Sequence, residues 1–390
     1  MTEPAHTVRA ELLDCLQVNL ALVADRHHGT GTHLRLGARL RFAPRPGEQA
    51  LPTTEPTLAD HLTDAEDLLG LVVTDHRQGV RGAELAAVTG PVYVVADAYH
   101  LPWVPYHGTK HVEHSFLVEP VGEPGSDALA VEDAYHNDTQ WGRARPVRLT
   151  YGRAELAAFV DAVPGGVEVL RLDAKPLGPA PEPVAEPDPA RAEDYLRRYL
   201  EHPERAVALE RFTLETWLLA RARRLHAEYA HGGTAGLPQP VAEHLARWDG
   251  VVEHAYLAYR RVARGRAEPP ELLTRAGELL HADAEVFGGA APRATAGPAA
   301  APSGGPPPYA AVRTVVASVL GVAEASLPDG ELTVLPAFTS LRMVEIVERL
   351  ETEFAVEFPP ADLVPEKLHR IDDLADLVRR ALAVAQPKPL

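Results

Sequence analysis

Residues 288–308 place the strongest constraint on how this chain can fold. Eighteen of these 21 residues are glycine, alanine or proline. Such a segment has too little apolar side-chain surface to offset the entropy lost on ordering, so it predicts a linker. We therefore expect residues 309–385 to fold separately from the rest of the chain. A second proline cluster, at residues 176–189, predicts a softer boundary.

Composition and charge narrow the class of protein. Hydrophobic residues make up 46% and charged residues 24%, which is ordinary for a globular chain. No apolar run approaches the roughly 20 residues of a membrane-spanning helix, and the polar start Met1–Arg9 lacks the apolar core of a secretion signal. We expect a soluble cytoplasmic protein without a membrane partner. The net charge of −17, with no local basic patch, also argues against nucleic acid as a partner.

Hydrophobic periodicity divides the chain before the linker into two regions. In residues 1–175, a predicted helix at residues 14–24 is followed by short apolar runs that predict strands, which indicates an α+β domain. These runs are Leu69–Val73, Val92–Ala96, Ser115–Val118 and Leu129–Val131. In residues 190–287 the apolar residues recur three and four positions apart, as at Leu214, Trp217 and Leu218, so this region is predicted to be a helical domain.

The segment after the linker contains a motif with chemical content. Phe338-Thr339-Ser340-Leu341 opens a predicted helix that is apolar on one face and carries Glu345, Glu348 and Glu351 on the other. With Phe358-Pro359 and Ile371-Asp372-Asp373-Leu374 further on, this segment resembles acyl and peptidyl carrier proteins from end to end.

That resemblance implies a four-helix carrier domain at residues 309–385, with 4'-phosphopantetheine attached to Ser340. It also implies two kinds of partner: a phosphopantetheinyl transferase, and an adenylating or acyl-loading enzyme that docks on the acidic helix. A serine at the exposed start of such a helix is expected to have its hydroxyl in solvent. This position suits a phosphodiester, because the helix dipole is positive there. The family usually has Asp before this serine, where this chain has Thr339. The alternative is that Ser340 is an unmodified helix cap.

The single cysteine, Cys15, excludes an intramolecular disulfide and every metal motif built on several cysteines. Asp14 is predicted to cap the helix, which would place Cys15 in its first turn, where the dipole favours thiolate. A nucleophilic cysteine needs a base and a group that orients the base. His114, at the start of one predicted strand, and Asp133, after the next, are the candidates.

Cysteine, histidine and then an acid or amide in this order are typical of papain-like folds. The phrases around Cys15, at residues 94–102, at His111-Val112-Glu113-His114 and at residues 131–135 resemble the butirosin biosynthesis acyltransferase family. The resemblance covers roughly residues 10–285. It implies a papain-like domain in which Cys15 is the nucleophile, His114 the base and Asp133 the orienting group. It further implies acyl transfer from a carrier thioester to a small-molecule amine in natural-product biosynthesis, such as that of nonribosomal peptides.

The oxyanion site is less clear in the sequence. Papain-like enzymes commonly have Gln about six residues before the cysteine, and Arg9 is at that position here. The backbone N–H of Cys15 and the side chain of Asn19, one turn further along the helix, are the candidate donors.

Several alternatives remain open from the residues alone. The alternative to a nucleophilic role for Cys15 is that it is a small buried apolar residue. His107, His111 and His114 have a spacing that can gather imidazoles, but His111 and His114 would point to opposite faces of a strand, so we predict no metal site. For the whole chain, the alternatives to an acyltransferase are a catalytically silent scaffold that presents the carrier, and a cysteine peptidase or amidase.

Overall fold

The computed structural model describes residues 8–123, 126–233, 236–288 and 309–385. The predicted linker at 288–308 lies, apart from its first residue, outside the described residues. The helices of these residues are α1 (Gln17–His28), α2 (Leu58–Leu69), α3 (Gly82–Ala86), α4 (Arg153–Asp161), α5 (Pro189–Glu201), α6 (Arg205–His231), α7 (Gln239–Ala263), α8 (Leu272–Phe287), α9 (Tyr309–Leu320), α10 (Ser340–Glu353) and α11 (Ile371–Ala385).

The strands of the six-stranded sheet are longer than the others, which have two or three residues each. In chain order, the strands are β1 (Arg39–Arg41), β2 (Arg45–Pro46), β3 (Pro52–Thr53), β4 (Leu71–Val80), β5 (Val92–Asp97), β6 (Glu113–Pro120), β7 (Ala128–Asp133), β8 (Asn137–Thr139), β9 (Gly142–Ala144), β10 (Val147–Gly152), β11 (Val167–Ala174) and β12 (Val184–Glu186).

The described residues form two compact units. The first contains the residues up to 41 together with 55–186 and 221–237, and the second contains residues 42–54, 187–220 and those from 238 onward. The predicted boundaries at 1–175, 190–287 and 309–385 differ from this division in three places. Residues 42–54 group with the helices, and residues 221–237 group with the sheet. Residues 309–385, which we expected to fold separately, belong to the same unit as the helices before the linker.

The first unit is built on a six-stranded antiparallel sheet in the order β10-β7-β6-β5-β11-β4. β5, β6 and β7 occupy its middle, and most of their residues are buried, which explains their uninterrupted apolar runs. α1 packs with β6 in the same core.

Two predicted boundaries in this unit are wrong by a few residues. The strand predicted from Leu69 begins at Leu71, because Leu69 ends α2 and Gly70 closes that helix in the left-handed conformation. The helix predicted from Asp14 begins at Gln17. Asp14 still caps, since its carboxylate accepts the N–H groups of Leu16 and Gln17 at 2.8 Å each, but it does so from a turn that precedes the helix.

The second unit is helical, as predicted for residues 190–287 and 309–385. Trp248, Tyr195, Tyr199 and Phe212 form the centre of one apolar cluster, so these aromatic side chains are core residues. A second cluster joins α9, α10 and α11, and includes Tyr256 and Leu257 of α7.

The C-terminal segment differs from a four-helix bundle. Between α10 and α11 it contains two 3-10 turns, Pro360–Asp362 and Pro365–Lys367. The described residues from 309 onward therefore have three α-helices, where the resemblance implied four. Three prolines, at 359, 360 and 365, explain the difference, because each removes an N–H donor that an α-helix needs beyond its first turn. The described part of the chain is thus a mixed helix and sheet fold with a helical C-terminal domain.

None of the helices in the described ranges combines the length and the apolar character required to cross a bilayer.

Candidate functional site

Cys15 lies in a turn two residues before α1 and is partly exposed. Its Sγ–H donates to the carbonyl oxygen of Glu113, at 3.2 Å, on the first residue of β6. The carbonyl oxygen of Cys15 accepts from the hydroxyl of Ser115, at 2.6 Å. The turn that carries the thiol is therefore bonded to the residues on both sides of His114.

His114 and Asp133 meet on one face of the sheet. The pairing of β6 with β7 sets Phe116 opposite Asp133 by extension of its register, and His114, two residues before Phe116, points to the same side. His114 Nε2 lies 2.7 Å from Asp133 Oδ2. Both side chains are buried. The structure thus brings together the histidine and the acid that the sequence predicted as base and orienting group.

The protonation of this pair follows from its surroundings. Burial opposes ionisation of Asp133, yet the nearby His114 and hydrogen bonds, including one from the Tyr135 N–H, lower its pKa overall. An ionised Asp133 only accepts hydrogen bonds, so His114 Nε2 carries the proton that is shared between them. His114 Nδ1 is then the lone-pair nitrogen. It is buried and has no hydrogen-bond partner among the described residues, which leaves it able to accept a proton.

The thiol is held in its neutral form. Burial raises the pKa of Cys15 well above its usual range, and the negative charges of Asp14, Glu55 and Asp133 raise it further. The expectation that the helix dipole favours thiolate is therefore wrong for the resting protein, because desolvation and three carboxylates outweigh it. A neutral thiol requires a base at the moment of attack.

Asn19 does not have the predicted oxyanion role. Its side chain is fully buried. Its Nδ2 donates to the carbonyl and hydroxyl oxygens of Ser115, at 2.8 and 3.1 Å, and its Oδ1 accepts from the Ala134 N–H at 3.0 Å. Because both N–H bonds have partners, Asn19 has no donor left for a substrate oxygen. It joins α1 to β6 and β7 and so fixes Cys15 relative to His114 and Asp133.

Two further residues support the site and were not predicted. Trp103 Nε1 donates to Asp133 Oδ2 at 3.0 Å, so that this oxygen accepts from both Trp103 and His114. Arg221 donates to the carbonyl oxygens of Leu13 and His136, one just before Cys15 and the other just after β7. The sequence contains no signal for either role, since a helical arginine and a loop tryptophan have many uses.

The spaced histidines are not gathered. His111 is exposed, donates from Nδ1 to the Asp97 carboxylate at 2.6 Å, and stacks on Tyr99. His114, in contrast, is buried against Asp133. Within the described ranges, no group of three or more His, Cys, Asp or Glu side chains is arranged to hold a metal ion.

The predicted attachment serine is the first residue of α10. Thr339 caps this helix, with its Oγ1 accepting from the Arg342 N–H at 3.3 Å. Ser340 is half-buried, whereas the sequence predicted its hydroxyl in solvent. Its Oγ–H donates to Oε1 of Glu253 on α7 at 3.3 Å, and the other oxygen of that carboxylate accepts from His369 Nε2 at 2.7 Å.

Arginines of α7 and of the residues that follow it bind the acidic face of α10. Glu348 pairs with Arg260 at 3.1 Å and with Arg264 at 2.6 Å. Glu351 pairs with Arg261 at 2.9 Å, and both of these side chains are almost fully buried. The acidic residues that the sequence identified as a docking face thus contact basic residues of the same chain.

Comparison with known protein families identifies the C-terminal domain. The family described as "Phosphopantetheine attachment site" matches residues 310–378. The chain therefore contains a carrier domain of the kind that bears 4'-phosphopantetheine on a serine and serves phosphopantetheine-bound acyl intermediates in biosynthesis. A phosphopantetheinyl transferase and acyl-loading partners follow from it. A search of curated proteins found no match.

The residues around Ser340 fit this group. Ser340 has its hydroxyl at the start of a 14-residue helix, where backbone N–H groups and the helix dipole favour a phosphodiester. The other matched serines, Ser318 and Ser326, lie within α9 and in a 3-10 turn.

Proposed function

We propose that this protein is a carrier-fused cysteine acyltransferase. It moves an acyl or aminoacyl group from a phosphopantetheine thioester to a small-molecule amine, and Cys15 holds that group between the two steps. Ser340 is the attachment site, and the domain around Cys15 is papain-like in its chemistry. The observation that carries the proposal is the buried His114 imidazole, which is one residue beyond the carbonyl that binds the Cys15 thiol. Asp133 holds one of its nitrogens, and the other has no hydrogen-bond partner in the part of the chain that the structure describes.

The attached group supplies a terminal thiol on which acyl groups are held as thioesters. The residues of the chain perform the remaining chemistry. His114 Nδ1 takes the proton of Cys15 as Sγ attacks the acyl carbonyl carbon. A bond forms from Sγ to that carbon, the original thioester C–S bond breaks, and the departing sulfur receives the proton from His114.

The second step reverses these roles. An amine nitrogen attacks the acyl carbon on Cys15 while His114 Nδ1 accepts one of its protons. The C–N bond of the amide forms, the Sγ–C bond breaks, and His114 returns the proton to Cys15. Asp133 remains ionised throughout and stabilises the imidazolium that forms in each step. The Cys15 N–H, at the start of the turn before α1, is the remaining candidate from the sequence for an oxyanion donor.

One observation favours a second candidate, the catalytically silent scaffold. The raised pKa of Cys15 means that the resting thiol is protonated and weakly nucleophilic. In that function the first unit would bind partners and the carrier would do all of the acyl handling.

An amide-formation assay separates these functions. The full chain, loaded at Ser340 with an acyl group by a phosphopantetheinyl transferase and the acyl-coenzyme A, is offered a panel of primary amines. Mass spectrometry then follows the amide products. We expect Cys15→Ser to reduce the rate to background and His114→Ala to reduce it about 10²- to 10⁴-fold, the usual contribution of a general base. His111→Ala is the matched control, because His111 is exposed and bonded to Asp97 instead.

The alternatives give different results. A Cys15→Ser protein that forms amide at the full rate would establish the scaffold. A peptidase or amidase would keep its hydrolytic activity in Ser340→Ala, which blocks loading without removing the carrier domain. This substitution is preferable to deletion of the domain, because Tyr256 and Leu257 of α7 share its apolar core.

A further inference from the structure

Glu253 contacts both the attachment serine and a second side chain of the carrier domain. One carboxylate oxygen accepts the Ser340 hydroxyl, at 3.3 Å, and the other accepts His369 Nε2, at 2.7 Å. Glu253 itself is 8% exposed. The hydroxyl that becomes modified is therefore bonded, in this structure, to a buried negative group on a different helix.

The remaining contacts between α7 and the carrier domain explain how that arrangement is held. Glu348 and Glu351 pair with arginines on and just after α7, and Arg275 of α8 pairs with Glu366 at 2.9 Å. Tyr256 and Leu257 contribute apolar area to the same contact. Together these residues form a docking surface, which we define as Glu253, Tyr256, Leu257, Arg260, Arg261 and Arg264 of α7 and its C-terminal end.

Modification changes the charge at the centre of this contact. The Ser340 Oγ–P bond forms, the pyrophosphate bond of coenzyme A breaks, adenosine 3',5'-bisphosphate leaves, and the hydroxyl proton is released. The hydrogen bond to Glu253 is lost, and a phosphodiester with a full negative charge takes its place. Two like charges in a partly desolvated contact repel each other more strongly than in water.

We propose that Glu253 makes the docking surface selective for the unmodified carrier domain: it binds the free Ser340 hydroxyl and repels the phosphodiester that replaces it, so that modification loosens the carrier from α7. This inference rests on Ser340 as the attachment site and does not depend on acyl transfer by Cys15. His369 holds the Glu253 carboxylate in position. The arginine pairs attract α10 in both states, and Glu253 is the residue that distinguishes them.

Hydrogen–deuterium exchange, measured by mass spectrometry at pH 8, tests the proposal on the full chain. The readout is exchange in peptides from α10 and from residues 250–263 of α7, before and after modification with coenzyme A. We expect exchange at least tenfold faster in both regions after modification. In Glu253→Gln, which keeps the size and one acceptor oxygen but removes the charge, modification should leave exchange within twofold of that of the unmodified variant. Glu243→Gln, near the exposed start of α7, is the matched control and should behave like the unaltered chain.

A second variant keeps the test independent of the modification itself. Ser340→Asp places a negative charge beside Glu253 without coenzyme A, and it should loosen α10, with protection restored in Ser340→Asp combined with Glu253→Gln. Equal exchange before and after modification of Ser340, confirmed by peptide mass, would overturn the proposal. Equal loosening in modified Glu253→Gln would overturn it too, since the cause would then be the bulk of the group. If the mass adduct maps elsewhere, the attachment assignment fails, while the Ser340→Asp arm still tests the charge effect.

Discussion

The buried ion pair between Arg261 and Glu351 provides a quantitative test of the contact between α7 and the carrier domain. The two side chains are 4% and 2% exposed, and their charged atoms are 2.9 Å apart. Glu351 also accepts from the Phe358 N–H at 2.9 Å and from Arg266. Arg261 also donates to the carbonyl oxygen of Phe358 at 3.2 Å. When one of the two side chains is replaced, Glu351 therefore keeps a second arginine as partner, whereas Arg261 loses its buried counter-charge.

This difference predicts unequal effects of the two substitutions. Glu351→Met leaves the buried Arg261 with only the longer pairing, at 3.4 Å, to the exposed Glu357. It also leaves the Phe358 N–H without its acceptor, so the substitution should lower the opening free energy of α10 by about 3–5 kcal/mol. Arg261→Met leaves Glu351 with Arg266 and Phe358, so we expect a smaller loss of about 1–3 kcal/mol. In the double variant both charges of the pair are removed, so neither is buried without its partner. Its loss should be smaller than the sum of the single losses by about 2 kcal/mol.

Hydrogen exchange of α10 amides in the unmodified full chain measures each opening free energy. Glu345→Met is a suitable control, because Glu345 is exposed and pairs with Arg342 of its own helix. We expect less than about 0.5 kcal/mol for this control. Losses that add to within about 0.5 kcal/mol in the double variant would show that the pair does not couple α7 to α10.

Three further predictions concern single side chains. His254 is fully buried and neither ring nitrogen has a hydrogen-bond partner in the described residues, and burial next to Arg275, partly offset by Glu366, lowers its pKa to about 4. The unfolded chain binds a proton at His254 more readily than the folded chain does, so the free energy of unfolding should fall by on the order of 3 kcal/mol as the pH drops from about 6.5 to 4. Urea unfolding of His254→Leu should show a correspondingly smaller fall. A pH profile identical to that of the unaltered chain would contradict the lowered pKa of His254. Asn19→Ala should lower the free energy of unfolding by about 2–4 kcal/mol, because it removes the partner of the Ala134 N–H and of the Ser115 carbonyl. A denaturation midpoint equal to that of the unaltered chain would show that Asn19 does not join α1 to β6 and β7. In the protein without phosphopantetheine, Cys15 is the only thiol, so alkylation by iodoacetamide reports on it alone. Because the pKa of this thiol is raised, the alkylation rate should be low at pH 7 and should still increase with pH above pH 9. A rate that levels off below pH 8 would show that the pKa is not raised.

The central strands and the pairing of His114 with Asp133 could be predicted from the sequence. β5, β6 and β7 read as apolar runs because they are buried in the middle of the sheet, and residues at neighbouring strand ends lie close together. The edge strand β4 was located only in part, because Leu69 and Leu71 are both buried although they belong to different elements. Local pattern does not distinguish the last turn of a helix from the first residue of a strand.

Features that depend on tertiary contacts could not be predicted from the sequence. The roles of Asn19, Trp103 and Arg221 arise from partners more than 25 residues away, and no local pattern indicates them. The raised pKa of Cys15 follows from desolvation and from Glu55 and Asp133, which the turn itself does not reveal. The contact between Glu253 and Ser340 likewise exists only because α7 and α10 pack together.

The most direct test of the central claim is to find the acyl group on Cys15. The full chain is loaded at Ser340 with an acyl-phosphopantetheine, quenched in acid after increasing times without an amine, digested, and analysed by mass spectrometry. The account predicts an acyl adduct on the peptide that contains Cys15, absent in Cys15→Ser and slow to appear in His114→Ala. An acyl group that remains on Ser340 throughout, in a protein that forms amide once an amine is added, would contradict it.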